Sequence, residues 1–196
     1  DTTNLHPGLA QLLNSYKMAF KAINTNNAVE TEAKKGAFFA KTVAPLLKTT
    51  WSQDAPYNAL LGYNYTGCVA TTISQVLKYH EWPVQGMGNV SYVNTSDNRT
   101  LSGNLNLSQY DWANMLPNYD APVQATQAQR NAVAKLMKDV GLASGMQYHP
   151  GFAVATNQGA FDAFVKHFDY QATCVYQSTE GPSVFADLLR QELVDG

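Results

Sequence analysis

The amino-acid sequence predicts an α+β fold, and three observations lead there. Apolar residues recur at helical spacing in five separate segments. Short strand-like pieces are scattered between these segments instead of alternating with them, which argues against a regular βαβ architecture. The chain is 45% hydrophobic and 11% aromatic, enough to bury a core.

The first helical segment is 7–23, with Pro7 near its start and Leu9, Leu12, Leu13, Tyr16, Phe20 and Ile23 on one face. A polar connector follows from Thr25 to Lys35, ending in Lys34-Lys35-Gly36, a natural cleavage site if exposed. The second helix begins at about Cys68, carries Val69, Ile73, Val76, Leu77 and His80 on one stripe, and stops at Pro83. Residues 84–110 are rich in Gly, Asn, Ser and Thr and read as hairpins or loops. A third helix is expected over roughly 124–140, with Val133, Leu136, Met137 and Val140 inward and Gly141 as its C-cap. Residues 148–157 form an irregular loop, 158–168 a fourth helix, 172–177 a strand and 183–194 a last helix.

Composition removes several function classes. Only 14% of residues are charged, the net charge is −2, and there is no long basic run, so an electrostatic nucleic-acid binder is excluded. The longest apolar runs fall far short of the roughly 20 residues a membrane-spanning helix needs. Polarity rests instead on hydroxyls and on 29 Asn and Gln, a balance that suits a secreted or cell-surface protein. Asn64, Asn89, Asn94, Asn98 and Asn106 each open an N-x-S/T triplet, a frequency that chance explains in so Asn-rich a chain. The two cysteines, Cys68 and Cys174, lack metal-ligand spacing, and no metal or organic cofactor is implied. Cys174, within Thr173-Cys174-Val175-Tyr176, reads as a buried strand residue.

Thr66-Gly67-Cys68-Val69-Ala70-Thr71 puts a thiol at the start of a strongly patterned helix. Unpaired N–H groups and the positive end of a helix dipole favour a thiolate at such a place. The same N–H groups can hold an oxyanion on a carbonyl under attack. Gly67 removes bulk beside the sulfur. By itself, the pattern fits a small packed cysteine as well as a nucleophile.

The neighbouring residues go further. Trp51-Ser52-Gln53-Asp54-Ala55-Pro56-Tyr57-Asn58, Thr66 to Thr71, and Lys78-Tyr79-His80-Glu81-Trp82-Pro83 with Gly86 and Gly88 resemble the streptopain/interpain family of bacterial cysteine peptidases. So do Tyr110-Asp111-Trp112-Ala113-Asn114-Met115-Leu116-Pro117, Met137-Lys138-Asp139-Val140-Gly141 and Met146-Gln147-Tyr148, all in family order from about residue 44 onward. The resemblance implies a papain-like cysteine peptidase fold, here mainly the helical half with part of the β half. It implies Cys68 as nucleophile and Gln53 as a side-chain donor to the oxyanion hole. Tyr148, His149 and Gly151, in the loop Tyr148-His149-Pro150-Gly151-Phe152, match the family's substrate-pocket wall loosely.

The family's general base is a histidine in a Gly-His-Ala-type strand beyond a helix like 183–194, oriented by a Trp/Asn segment further on. Neither motif occurs in these residues. His6 is N-terminal, His80 lies about 18 Å along the Cys68 helix at 1.5 Å per residue, His167 sits on a helix, and only His149 falls in a cleft loop. The expectation is a peptide or protein substrate and a catalytic His carried by a second chain or a C-terminal fragment. Residues 1–36 would be the tail of a pro-domain preceded by more chain, and 37–196 the N-terminal portion of the catalytic domain. One alternative is a non-catalytic papain-like binding or inhibitory module. Another is a carbohydrate-binding surface built on Trp51, Trp82, Trp112 and the tyrosines.

Overall fold

A computed structural model describes residues 44–175 and 177–195. The chain divides between Ala44 and Pro45, and the unit beginning at Pro45 is the one described. The expected helix over 7–23, the connector and the boundary at 36 lie outside the described residues.

Helix α1 spans Cys68–His80. It begins where the sequence places it, but its buried face is Ala70, Thr71, Ile73, Ser74 and Leu77, with Val69 and Val76 at the margin and His80 exposed. Glu81 ends it in the left-handed region (φ 49°), and Lys78 in the last turn bonds both Glu81 Oε1 and the Trp112 carbonyl at 2.7 Å. A cation there also suits the negative end of the helix dipole.

The expected hairpin region resolves into β1 (Asn89–Val93) and β2 (Thr100–Asn104), antiparallel with Val93 opposite Thr100. Helix α2 spans Gln127–Ala143, started by a capping box in which Thr126 and Gln129 satisfy each other's backbone N–H groups. Its apolar face, Val133, Leu136, Met137 and Val140, is fully buried, and α1 packs against this helix. The helix runs through Gly141 instead of ending there, and Ser144 is its C-cap. Gly141 answers a different need: a Cβ on it would lie 2.2 Å from the Tyr148 hydroxyl oxygen.

Two short strands, β3 (Gln147–Tyr148) and β4 (Ala153–Val154), make a second hairpin inside the segment expected to be irregular. Helix α3 (Asn157–Asp162) is capped by Thr156 Oγ1 and continues into a wider turn, Ala163–His167. Residues 171–175 are irregular, so the strand expected over 172–177 is absent, and α4 (Gln177–Glu180) and α5 (Pro182–Asp195) follow. The alternating Thr173-Cys174-Val175 has strand propensity, but no strand among the described residues pairs with it, and propensity alone does not make one. Cys174 is accordingly exposed, not buried. Among the described residues no helix is long and apolar enough to cross a membrane.

Aromatic side chains pin the loops that approach α1. Trp51 Nε1 donates to the Leu116 carbonyl (2.8 Å) and Trp112 Nε1 to the Pro83 carbonyl (3.0 Å), while Tyr57 packs edge-on against Tyr119. Trp51 and Trp112 are buried at 6% and 8% exposure. They therefore belong to the core, and only Trp82 of the three tryptophans offers a face to a sugar.

Candidate active site

Three chain segments meet around the Cys68 sulfur. The first is the turn carrying Gln53. Trp51 anchors it in the core, Thr66 N donates to the Gln53 carbonyl (2.9 Å), and Thr71 Oγ1 reaches the Ser52 carbonyl (3.5 Å). These bonds fix the Gln53 backbone beside the start of α1. The Gln53 side chain is half-buried and its amide has no hydrogen-bond partner among the described residues, so both of its N–H donors are free for a ligand.

The second segment is the start of α1 itself. Gly67 adopts φ 89° and ψ 145°, a region open essentially to glycine. A Cβ there would also meet Met146 Sδ at 2.8 Å and the Ala153 Cβ at 3.1 Å. Conformation and close packing thus demand glycine independently. No side chain caps the helix, so its first N–H groups, that of Cys68 included, remain unspent. Cys68 is exposed and unpaired.

The third segment is the turn between β3 and β4. His149 N donates to the Phe152 carbonyl (2.8 Å), closing the turn, and the two rings stack at 4.4 Å and 12°. Phe152 is 56% exposed. A Cβ on Gly151 would touch nothing within 4 Å.

Ser52, Gln53, Tyr65, Cys68, Gly151 and Phe152, with Asp54 and Ala153, line one groove of about 450 Å³. That volume falls in the range of ligand-binding clefts. Of the residues singled out in the sequence, Cys68, Gln53 and Gly151 therefore share a groove. Tyr148 does not reach it with its ring: the side chain is 2% exposed, stacks on Tyr63 at 4.5 Å, and burial raises its phenol far above the usual range. Tyr148 and His149 instead line a smaller cavity of about 220 Å³ on the other face of the same turn. Sequence reasoning does not single out Tyr65, and names Phe152 only as part of its loop. Tyr65, three residues before Cys68, was the one available signal in the sequence; Phe152 lies far along the chain and joins the groove only through the fold.

Two of the remaining histidines are engaged elsewhere. His80 sits at the far end of α1 among Tyr79 and Tyr170, and His167 Nδ1 is 2.8 Å from the Met87 carbonyl. His6 lies outside the described residues.

Comparison with known proteins identifies the family and the fold. The sequence profile of the Peptidase C10 family matches residues 51–196. Streptopain of Streptococcus pyogenes serotype M1 is 33% identical over 122 residues, covering 59% of this chain and 30% of that protein. The thiol protease/hemagglutinin PrtT of Porphyromonas gingivalis is 26% identical over 187 residues, covering 84% of this chain and 21% of its own. Among solved structures, a prointerpain A fragment from Prevotella intermedia superposes with a TM-score of 0.73 at 34% identity, covering 79% of this chain and 52% of that one. The active wild-type interpain A cysteine protease of the same organism gives 0.69 at 34% identity, with 75% and 63% covered. The chain thus spans about a third of the streptopain it matches and about half to two thirds of the interpain structures. Its α+β fold is papain-like, and the chain belongs to the Peptidase C10 family.

Proposed function

We propose that these residues are the nucleophile-bearing portion of a secreted bacterial cysteine endopeptidase. The observation that carries the reading is the convergence, in one groove, of an exposed sulfur, an uncapped helix start and the unspent amide of Gln53. The Cys68 thiolate attacks the substrate carbonyl carbon, forming a C–S bond and an oxyanion. The Cys68 backbone N–H and the Gln53 side-chain N–H hold that oxyanion, where preorganised donors contribute most. Collapse breaks the C–N bond, the amine leaves with a proton, and water hydrolyses the thioester to release the acid and restore the thiol.

The base that takes the thiol proton and protonates the amine is a histidine outside this chain, on a second chain or a C-terminal fragment. The positions of His80 and His167 support this, since one lies at the opposite end of α1 and the other is bonded to the Met87 carbonyl. A Gly-His-Ala-type strand followed by an Asn-Trp pair in the continuing sequence would locate it. Residues 1–36 are read as the tail of a pro-domain retained in a zymogen, and 37–196 as the N-terminal portion of the catalytic domain. The groove's substrate is an extended peptide.

Hydrolysis of a peptide substrate by the full-length gene product tests the proposal. Cys68→Ala should lower kcat by at least ~10³-fold, and Gln53→Ala by ~10²-fold with little change in KM. Hydrolysis that survives Cys68→Ala would reject the reading, and peptide binding without turnover in the wild type would favour the non-catalytic module.

A further inference from the structure

The wall of the Cys68 groove formed by Gly151 and Phe152 is held by residues that never touch the groove. The connection from β1 to β2 is closed by Asn94 N donating to the Arg99 carbonyl (2.8 Å), with Asn98 in the left-handed region at φ 57°. This geometry turns the Asn94 side chain inward, where it is fully buried. Its Oδ1 accepts from Tyr148 N (2.8 Å) and its Nδ2 donates to the Tyr148 carbonyl (2.9 Å). One side-chain amide thereby reproduces the pair of bonds that a neighbouring strand would give β3.

A second layer locks the first. Asn94 Nδ2 also donates to Asp97 Oδ1 (2.7 Å), and Asp97 Oδ2 accepts from the Tyr63 hydroxyl (2.9 Å) and Arg99 Nε (3.0 Å). The Arg99 guanidinium lies 4.3 Å over the Tyr63 ring, whose other face stacks on Tyr148. Arg99, Tyr63 and Tyr148 thus form a three-layer stack ending on the residue that leads into the Gly151–Phe152 turn. From the opposite side, Asn64 Nδ2 donates to the Pro150 carbonyl (3.1 Å).

We propose that Asn94, Asp97, Arg99 and Tyr63 are positioning residues for substrate binding: through Tyr148 they set the place of the Gly151–Phe152 wall over Cys68. This rests on the groove being the peptide site. The chemistry at the sulfur stays with α1 and Gln53, which the clamp does not touch, so loosening it weakens binding and leaves the reactive step unchanged.

The test compares two alkylating probes on the full-length protein: a leucyl epoxysuccinate, which must lie in the groove, and iodoacetamide, which needs only the sulfur. For Arg99→Ala the inactivation constant KI of the epoxysuccinate should rise about tenfold, with kinact within about twofold of wild type. Tyr63→Phe keeps both ring stacks and loses only the hydroxyl bonds, so its KI should rise about threefold. Reaction with iodoacetamide should be unchanged in both. Asn94→Ala leaves two buried backbone groups unpaired and can cost folding, so the two outer variants decide. An unchanged KI in both overturns the proposal, as does an equal loss with both probes, which would give the clamp a general structural role. A wild-type protein whose Cys68 ignores the epoxysuccinate rejects the peptide groove itself and this proposal with it.

Discussion

On the sulfur side of the groove, Gly67 is packed closely against Met146 and Ala153, and the Gln53 turn is tied down by buried Trp51 and by backbone bonds. On the wall side, Gly151 and Phe152 are exposed and owe their place to a polar clamp whose outer members, Asp97 and Arg99, face water. Close packing resists change until it fails outright, because an interior filled to crystal-like density has no intermediate settings. A half-exposed polar clamp yields by degrees and responds to solvent. The difference assigns the two tasks of the site: geometry for bond-making is stored in the core, and adaptable recognition is left to the surface.

The largest break in this comparison should come from the packed side. Gly67→Ala places a Cβ against Met146 and Ala153 at a backbone conformation reserved for glycine. We expect it to cost about 2–4 kcal/mol of stability, read from urea unfolding, and to abolish reaction at Cys68 along with it. A full-strength Cys68 reaction in a stable Gly67→Ala protein would show that α1 does not need this seat.

Opposite ends of the pH scale should separate the two sides more gently. Burial pushes the Tyr57 phenol, beneath the Gln53 turn, up to about 12. The unfolded chain ionises first, near pH 10, so stability present below pH 10 is lost as pH rises from about 10 toward 12. The part of the tyrosinate absorbance that Tyr57→Phe removes should therefore appear together with unfolding, not ahead of it. Asp97 moves the other way: the hydrogen bond from Asn94, helped by bonds from Arg99 N and the Tyr63 hydroxyl, holds its carboxyl below the ordinary value. Its contribution is present above the usual carboxylate range and is lost as pH falls through the lowered pKa. Thermal melts of wild type and Asp97→Asn should consequently differ at neutral pH and converge in acid. A constant gap between them would remove Asp97 from the clamp.

On the sulfur side the start of α1 was legible in the sequence, because its cause is local, whereas Gln53 rested on the family resemblance alone. A Gly-Cys pair opening a 3.6-periodic stripe specifies a helix start, and the structure puts α1 there. The wall side was not legible, because its causes are remote. Asn94 reads as one more asparagine in an Asn-rich stretch, and only contact with Tyr148, 54 residues on, makes it a buried structural amide. Gly141 shows the same limit: a glycine near a helix end signals a cap, yet here it makes room for the Tyr148 hydroxyl inside α2. The 172–177 segment erred in the opposite sense, its local alternation having no strand to pair with among the described residues.

Because Cys68 and Cys174 are both exposed, accessibility does not separate them, and only the groove does. The most direct test of the nucleophile assignment is therefore peptide mapping by mass spectrometry after limiting treatment of the full-length protein with the leucyl epoxysuccinate. The account predicts adduct on Cys68 with at least about a hundredfold preference over Cys174. Equal modification of the two, or adduct mainly on Cys174, would contradict it.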